Sequence, residues 1–127
     1  MCFEKRMAEH NKLGNKGENI AEAFLVDKGY VILERNWHSS HKELDIIAEY
    51  QNWLVIVEVK TRTGEKWELP EFAVDKKKIR SIVNAAHHYI RMFNVDKPVR
   101  FDVISVVFEK GKWDIEHFED AFMAMHC

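Results

Sequence analysis

Charged residues lie inside two neighbouring apolar runs of this chain, and they limit most strongly what it can fold into. The stretch ELDIIAEYQNWLVIVEVKTR, residues 43–62, is typical of two strands joined at Gln51–Asn52. Asp45, Glu58 and Lys60 interrupt runs made mainly of Leu, Ile and Val. Buried charges are costly unless they are paired or bound to a cation. The fold must therefore hold these side chains in a structural ion pair or in a chemical site.

A tight hairpin determines which residues of the two strands face each other. With Gln51–Asn52 as the connection, antiparallel pairing places Asp45 opposite Glu58 and Glu43 opposite Lys60. Directly opposed side chains lie about 5 Å apart at Cβ. Glu58 and Lys60 also share a face, because side chains alternate along a strand. We therefore predict that Asp45, Glu58 and Lys60 converge on one patch.

Two carboxylates this close repel each other, and a divalent cation removes the conflict. Mg²⁺ and Mn²⁺ prefer oxygen ligands, and Mg²⁺ commonly takes one or two carboxylates beside water and substrate phosphates. A lysine nearby can orient the attacking water and offset charge on the phosphate. The grouping of Asp45, Glu58 and Lys60 thus suits phosphodiester hydrolysis. In the structural alternative, Lys60 pairs with Glu43 or Glu58 at a sheet margin.

The remaining sequence predicts an α/β domain with a mixed sheet and helices packed on it. A helix fits residues 15–29, where Gly29 supplies the stop, and a strand follows at residues 30–37. A second helix fits residues 74–93, with Asp75 as N-cap, and two strands flank a turn at residues 110–112. The inner face of this helix is predicted to carry Ile79, Ile82, Val83, Ala86 and Ile90.

Length and composition indicate one soluble globular domain over residues 1–127, with residues 1–12 as a candidate flexible segment. The chain is 46% hydrophobic and 31% charged, and no apolar run approaches the roughly 20 residues that span a bilayer. Cys2 and Cys127 lie at opposite ends, and no export signal is evident, so a reducing cytoplasm is expected. The net charge of −2 counts against a general polycation but not against a local basic face.

The spacing of the charged residues resembles a known nuclease signature. Asp45, twelve intervening residues and then Glu58-Val59-Lys60 look like the PD-(D/E)xK signature of the restriction-endonuclease-like superfamily, with Leu44 in place of its usual proline. Longer blocks resemble the bacterial YraN-like family of predicted nucleases, namely GNKGENIAEAFLVDKGYVILERNW, ELDIIA, VEVKTR, AVDKKKI and RFDVI. Archaeal Holliday-junction resolvases are more distantly similar.

The resemblance implies a restriction-endonuclease-like fold in αβββαββ order and a nuclease acting on DNA, with branched or structured DNA as candidate substrates. It implies Asp45 and Glu58 as the main ligands of Mg²⁺ or Mn²⁺, Glu18 as the first-helix acid of the metal site and Lys60 as the catalytic lysine. Many nucleases of this architecture are homodimers, because cutting two strands needs two sites. The resemblance implies phosphate contacts for Thr61, Arg62 and Lys78, and the placement of Lys76 and Lys77 in the same basic run makes them further candidates.

Several of these residues have structural alternatives. Glu18 can complete a capping box with Asn15 as N-cap, although Gly17 beside it permits a close backbone approach and favours a role in the site. Arg35 also matches a family position and is expected to brace the structure. Asp102 matches the family or pairs inside the sheet. The run at residues 76–78 can be a solvated face, but cations are disfavoured at a helix N-terminus, which favours an anionic ligand.

Other polar and aromatic residues are given structural interpretations. His38 and His41 are assigned to a polar loop rather than to a zinc site. His87 and His88 are adjacent in a helix and point in different directions, so no joint site is predicted there. Tryptophans can stack on bases, but packing is the more common role. We therefore assign Trp53, Trp67 and Trp113 to the core or to an interface.

Two alternative functions remain open at this point. The first is a nucleic-acid-binding module that keeps the fold and the pocket but does not catalyse hydrolysis. The second is a protein–protein adaptor whose C-terminal FEDAFMAMHC, residues 118–127, docks on a partner through Phe122, Met123 and Met125.

Overall fold

The computed structural model describes residues 2–64 and 75–122, with side chains described from residue 13 onwards. The elements, in chain order, are α1 (Cys2–Asp27), β1 (Val31–Ser39), β2 (Lys42–Tyr50), β3 (Trp53–Thr63), α2 (Lys76–Phe93), β4 (Val99–Glu109) and β5 (Lys112–Phe118). This order confirms the predicted α/β arrangement of helix, three strands, helix and two strands. Two stretches fall outside the described residues: 65–74, with Trp67 and Pro70, and 123–127.

The sheet is mixed, as predicted, and its strands follow the order β1-β2-β3-β4-β5. The pairs β1–β2, β2–β3 and β4–β5 are antiparallel, whereas β3 and β4 are parallel. Parallel neighbours need a crossover connection, and the segment containing α2 provides it. The crossover brings α2 onto the sheet over β2 and β1, and Lys78 in its first turn reaches Glu58 of β3.

A hydrophobic core lies on each face of the sheet. One cluster joins Ala21 and Leu25 of α1 to Ile46, Val55 and other strand residues. The other joins α2 to the opposite side chains of the same strands, including Leu54 and Ile56. Alternation along β3 therefore sends Val55 and Val57 toward α1 and Leu54, Ile56 and Glu58 toward α2.

The first helix is longer than predicted, because it begins at Cys2 rather than near Asn15. Asn15 and Glu18 are interior residues of α1, so the capping-box interpretation is wrong. The predicted end is confirmed. Gly29 has a φ of 96° after the last helical residue, and Tyr30 N donates to Leu25 O at 3.0 Å. This pattern is a Schellman-type C-terminus.

The second helix matches its prediction closely. Asp75 is the N-cap, and its Oδ1 accepts a hydrogen bond from Lys78 N at 2.7 Å. The buried face holds Ile79, Ile82 and Ala86 as expected, with Val83 and Ile90 partly buried against the same cluster. Ala85 and Tyr89 are also buried, and Tyr89 packs edge-on against Trp37 at a centroid distance of 5.3 Å.

One local interpretation is corrected at the sheet margin, and the alternatives for the tryptophans are narrowed. His38 belongs to β1 and His41 to a two-residue turn, so they are part of a hairpin rather than a polar loop. Trp53 is 37% exposed and does not belong to the core, whereas Trp113 packs against the cluster under α1.

The beginning of the C-terminal segment packs onto the domain. Phe122 is only 2% exposed and stacks on Phe101 at a centroid distance of 5.6 Å. Ala121 N donates to Phe101 O at 2.8 Å. Phe122 therefore does not offer the exposed anchor that the adaptor hypothesis requires, while Met123 and Met125 lie outside the described residues. Neither described helix has the length and apolar composition needed to cross a membrane.

Candidate active site

The candidate site lies where β2 and β3 stop pairing. Their ladder runs from Tyr50–Trp53 to Ile46–Val57, in the predicted register. Beyond it, Asp45 Oδ2 accepts a hydrogen bond from Val59 N at 2.9 Å, so a carboxylate replaces the next backbone partner. The ladder ends before the predicted Glu43–Lys60 pair. We call the place where β2 and β3 separate, just beyond the Ile46–Val57 pair, the fork. It holds Asp45 of β2 beside Glu58 of β3.

Asp45, which is half-buried, and Glu58, which is buried, form a carboxyl pair that shares a side-chain hydrogen bond. Glu58 is only 6% exposed, and burial, followed by the charge of Asp45, raises the pKa of Glu58 to about 8. Burial also raises the pKa of Asp45, although the hydrogen bond from Val59 N opposes the shift. The hydrogen bond raises the pKa of Glu58 and lowers that of Asp45. The proton therefore stays on Glu58, whose carboxyl group donates the hydrogen bond to the carboxylate of Asp45. Without a cation, the pair therefore holds a proton at neutral pH.

Two lysines approach the same oxygen of Glu58 from different elements. Lys60 Nζ, two residues along β3, lies 3.9 Å from Glu58 Oε1. Lys78 Nζ, in the first turn of α2, lies 3.8 Å from that atom. Both separations are charge contacts rather than hydrogen bonds. Both positive charges lower the pKa of Glu58, but burial and Asp45 outweigh them.

Helix α1 reaches the fork because Gly17 lies against β3. A β-carbon at position 17 would lie 2.8 Å from Thr61 Cγ2 and even closer to Thr61 Oγ1, so only glycine permits this approach. This confirms the close backbone approach expected at Gly17. The next residue, Glu18, is near enough to Asp45 for its charge to raise the pKa of Asp45 further. The structure therefore brings Glu18, Asp45, Glu58 and Lys60 to one region.

Arg35 of β1 holds Glu18 in place. Arg35 Nη2 donates to Glu18 Oε2 at 3.1 Å, and Nη1 donates to Asn19 at 2.6 Å and to Glu22 at 3.1 Å. The expected bracing role of Arg35 is borne out by these contacts between β1 and α1. Part of the Glu18 charge is thereby neutralised, which makes Glu18 a weaker candidate ligand than Asp45 or Glu58.

A cleft of about 410 Å³ adjoins the carboxyl pair on the side of α1. Lys60 lines this cleft and also contacts Glu58, whereas Asp45 and Glu58 themselves are not among the lining residues. Its lining consists of Leu13, Gly14, Asn15, Glu18, Asn36, Glu43, Val59, Lys60 and Thr61. The mixture of backbone, amide, carboxylate and ammonium groups is suited to a polar substrate.

The donor set fits a magnesium-type ion better than a zinc-type ion. The fork offers two carboxylates from adjacent strands, and Mg²⁺ commonly binds through one or two carboxylates while keeping several waters. Across the described residues, no group of three or more His, Cys, Asp or Glu side chains is placed to hold a metal. A closed cage of protein ligands is therefore not seen in that part of the chain. Asp45 and Glu58 would hold an ion together with water and substrate oxygens.

The predicted phosphate-contacting residues fall into two groups. Thr61 lines the cleft, and Arg62 follows it on β3 and is half-buried. Lys76 and Lys77 are exposed at the start of α2, while Lys78 reaches Glu58 as well as solvent. The contact between Lys78 and Glu58 was not predicted, because it depends on where α2 crosses the sheet.

Asp102 belongs to a separate buried network rather than to the candidate site. Its carboxylate accepts hydrogen bonds from Arg100 at 2.8 and 2.9 Å, pairs with His117 Nε2 at 2.7 Å and accepts from Asp120 N at 3.0 Å. Burial opposes ionisation, but these hydrogen bonds keep the pKa of Asp102 below its ordinary value. This matches the pairing alternative for Asp102. The role of His117 was not predicted, because only the pairing of β4 with β5 brings this residue into the network.

His87 and His88 both line a second cleft, and that they form no joint functional site stays a prediction. Both are exposed, and His88 Nδ1 lies 2.9 Å from Ser39 Oγ of β1. The cleft has a volume of about 370 Å³ and is lined by Lys42, Asn84, His87, His88 and Arg91.

Comparison with known proteins identifies close relatives over nearly the whole chain. The family model described as "Uncharacterised protein family UPF0102" matches residues 17–106. A UPF0102 protein of Phocaeicola vulgatus is 55% identical over 116 residues, covering 91% of this chain and 96% of that protein. A UPF0102 protein of Bacteroides thetaiotaomicron is 53% identical with the same coverage. One from Porphyromonas gingivalis is 52% identical over 118 residues, covering 91% of this chain and 87% of that protein.

Proposed function

The chain belongs to the UPF0102 family, and we propose that it is a Mg²⁺- or Mn²⁺-dependent nuclease that hydrolyses phosphodiester bonds of DNA, including branched or structured DNA. Membership confirms the YraN-like resemblance at the family level. The assignment to the PD-(D/E)xK superfamily is part of the proposal. The observation that carries it is the Asp45–Glu58 pair, in which Glu58 is buried and has two lysines within 4 Å.

The pair is costly as a purely structural feature. Two carboxyl groups share one buried fork, and Glu58 keeps a proton at neutral pH in the absence of a cation. Buried groups with strongly shifted pKa values in a cleft are candidates for functional residues. A structural ion pair would need one acid and one base of similar burial, whereas the lysines here are considerably more exposed than Glu58.

Each side chain has a distinct task in hydrolysis. Bound between Asp45 and Glu58, the cation would polarise a phosphate oxygen and lower the pKa of a bound water. Lys60 lies beside the pair and in the cleft, where it can orient the water and offset charge that develops on the phosphate. Glu18, fixed by Arg35, adds negative charge that favours a cation at Asp45. Lys78 can contact the substrate phosphate from the side of α2.

The proposed reaction consumes one water for each bond cut. A bond forms between the water oxygen and phosphorus, and the bond from phosphorus to the leaving ester oxygen breaks. The water gives up a proton, and the leaving oxygen gains one, so the products are a phosphate monoester end and a free hydroxyl end. The chain supplies positioned charge for these steps and no covalent intermediate.

A cleavage assay with paired variants tests this proposal. Linear, flap and four-way DNA would be incubated with Mg²⁺ or Mn²⁺ and with EDTA, using the wild type, Asp45→Asn and Lys60→Met. We expect metal-dependent products from the wild type and almost none from either variant. Lys97→Met is the control, because it removes a lysine that pairs with Glu49 on the surface at 3.0 Å. Unchanged cleavage by both site variants would exclude these residues from the mechanism.

One observation favours a second candidate, a nucleic-acid-binding module without turnover. Arg35 forms an ion pair with Glu18, so Asp45 and Glu58 are left as the main candidate ligands for a cation. This alternative predicts DNA binding that is insensitive to EDTA, a steep dependence on salt and no products with any of the substrates.

A further inference from the structure

The exposed side of α2 has an unusual charge distribution. The helix KKKIRSIVNAAHHYIRMF carries lysine or arginine at positions 76, 77, 78, 80 and 91 and no acidic residue. All 21 Asp and Glu residues of the chain therefore lie outside α2, although the whole chain has a net charge of −2. The opposite side of α2 is buried in the core, so the basic side chains share the solvent-facing side.

The charges continue from the helix onto the β1–β2 hairpin. Lys42 of the hairpin lines the second cleft together with Arg91, while His88 contacts Ser39. Asn84 and His87 complete the lining and can donate hydrogen bonds to oxygen acceptors. The described lining contains no carboxylate. This cleft can therefore receive an anionic group without repulsion from its own walls.

The two ends of this surface connect the second cleft to the candidate active site. At one end Lys78 lies 3.8 Å from Glu58, and at the other Arg91 lines the second cleft. The thirteen residue steps from position 78 to position 91 span about 20 Å at about 1.5 Å per residue. One strand of B-form DNA presents a phosphate about every 3.4 Å along its axis, so roughly six phosphates fit this length.

We propose that the exposed side of α2, with Lys42, is a track that binds the phosphate backbone of the nucleic acid leading away from the cleavage site. The inference rests on the proposed function and explains how the protein holds the DNA that the candidate active site cleaves. We call the surface formed by Lys42, Lys77, Arg80, Asn84, His87 and Arg91 the α2 track. Phosphate contacts of this kind position a substrate and carry little sequence information.

A nucleic acid fits the α2 track better than an anionic membrane does. Membrane-surface helices insert an apolar face into the lipid, but the apolar face of α2 is already packed against the sheet. A row of cations about 20 Å long, interleaved with neutral hydrogen-bond donors, matches a regular chain of phosphates.

DNA-binding measurements with the double variant Arg80→Gln/Arg91→Gln test the inference. Fluorescence anisotropy with a labelled duplex in EDTA would give Kd at several salt concentrations. We expect Kd at 50 mM salt to rise at least about tenfold, and the slope of log K against log salt to fall by about 2. At saturating DNA and Mg²⁺, kcat is expected to stay near the wild-type value while KM rises.

Two controls separate the α2 track from general electrostatics and from misfolding. Lys28→Gln/Lys97→Gln removes the same amount of charge at the end of the sheet away from Glu58. Arg80→Lys/Arg91→Lys keeps the charge on α2. Both control variants should bind DNA within about twofold of the wild type, and all variants should unfold at similar temperatures, since Arg80 and Arg91 are exposed.

Any other outcome of these binding measurements overturns the inference. Wild-type affinity in the Gln variant, equal losses in the Lys28/Lys97 control, or no DNA binding by the wild type would each do so. Loss of binding to phosphatidylserine vesicles with DNA binding intact would make the surface a lipid contact instead. The proposed function is tested separately. If cleavage depends on Asp45 but the Arg80→Gln/Arg91→Gln variant binds DNA normally, the nuclease proposal stands and the α2 track is excluded. If the variants change DNA binding as expected but the wild type cleaves no DNA, the α2 track stands and the nuclease proposal is excluded.

Discussion

Lys78 Nζ lies 3.8 Å from Glu58 Oε1, so the first turn of α2 places a cation beside the most strongly perturbed carboxyl group described in the chain. A positive charge at a helix N-terminus opposes the helix dipole, and Lys78 has no acidic residue in its own turn to offset this. The partner is supplied by β3 instead. The contact joins the basic helix to the candidate active site.

The metal-free protein should lose stability as pH rises from about 4.5 to about 8. Glu58 has an ordinary pKa of 4.5 and a folded-state pKa of about 8, so in this window the folded state binds more protons than the unfolded state. The free energy of unfolding then falls with increasing pH. Urea denaturation in EDTA across this range measures the slope.

Glu58→Gln is the matched variant for this pH dependence. Without the ionisable group the slope should become much smaller, and the variant should be more stable than the wild type at pH 8. Saturating Mn²⁺ should stabilise the wild type but not the variant, because a ligand stabilises only the state that binds it. Equal slopes for the two proteins in EDTA would show that Glu58 does not hold the proton.

Lys60→Met should reduce cleavage by about 10²-fold or more, in line with the loss of one positioned charge-stabilising group. Lys60 is part of the cleft and of the Glu58 contact, so its loss affects the reacting phosphate. Single-turnover rates at saturating substrate provide the measurement. Lys78→Met should mainly raise KM, because Lys78 reaches the site from the exposed side of α2. Equal effects of the two variants on kcat would contradict this division of roles.

Gly17→Ala should destabilise the protein and displace Glu18. The added methyl group would overlap the Thr61 side chain, so α1 must move away from β3. Overpacking of this kind typically costs about 1–3 kcal/mol. Gly14→Ala is the matched control, because nothing lies within 4 Å of its β-carbon, and it should stabilise α1 by about 0.5–1 kcal/mol. Chemical denaturation compares them, and Thr61→Ala should partly rescue Gly17→Ala.

Asp102→Asn should destabilise the fold by about 3–5 kcal/mol, since it removes one partner from a buried charge network. Asp102 is fully buried, and Arg100 and His117 would lose their shared carboxylate. The folded-state pKa of Asp102 is lowered, so its contribution is present above the ordinary value of 3.8 and is lost as pH falls through the folded-state pKa. Calorimetry at pH 7 and below pH 4 tests both points. A variant as stable as the wild type would contradict the network's structural role.

Local features of the fold were predictable because their physical causes are local. The two-residue Gln51–Asn52 turn sets the β2–β3 register, and that register alone places Asp45 beside Glu58. The Asp75 cap and the spacing of Ile79, Ile82 and Ala86 define α2 in the same way. The position of Asp45 beside Glu58 in the candidate site was therefore predictable before the tertiary structure was known.

Contacts between distant elements were not predictable from these patterns. Arg35 reaches Glu18 only because β1 and α1 pack together, and the α1 start at Cys2 removes the capping role that Asn15 indicated. Lys78 meets Glu58 only through the path of α2 across the sheet. Likewise, His117 joins Asp102 only through the strand pairing between β4 and β5. In each case the missing information is the relative orientation of elements rather than their identity.

The central claim is that Asp45 and Glu58 hold a divalent cation between β2 and β3, and Mn²⁺ titration followed by electron paramagnetic resonance tests it most directly. We predict saturable binding of one Mn²⁺ per chain, which tightens as pH rises toward 8 and is lost in Asp45→Asn. Glu49→Gln, a control on the surface pair with Lys97, should bind as the wild type does. Equal Mn²⁺ binding by the wild type and Asp45→Asn, or none by the wild type at pH 8, would contradict the claim.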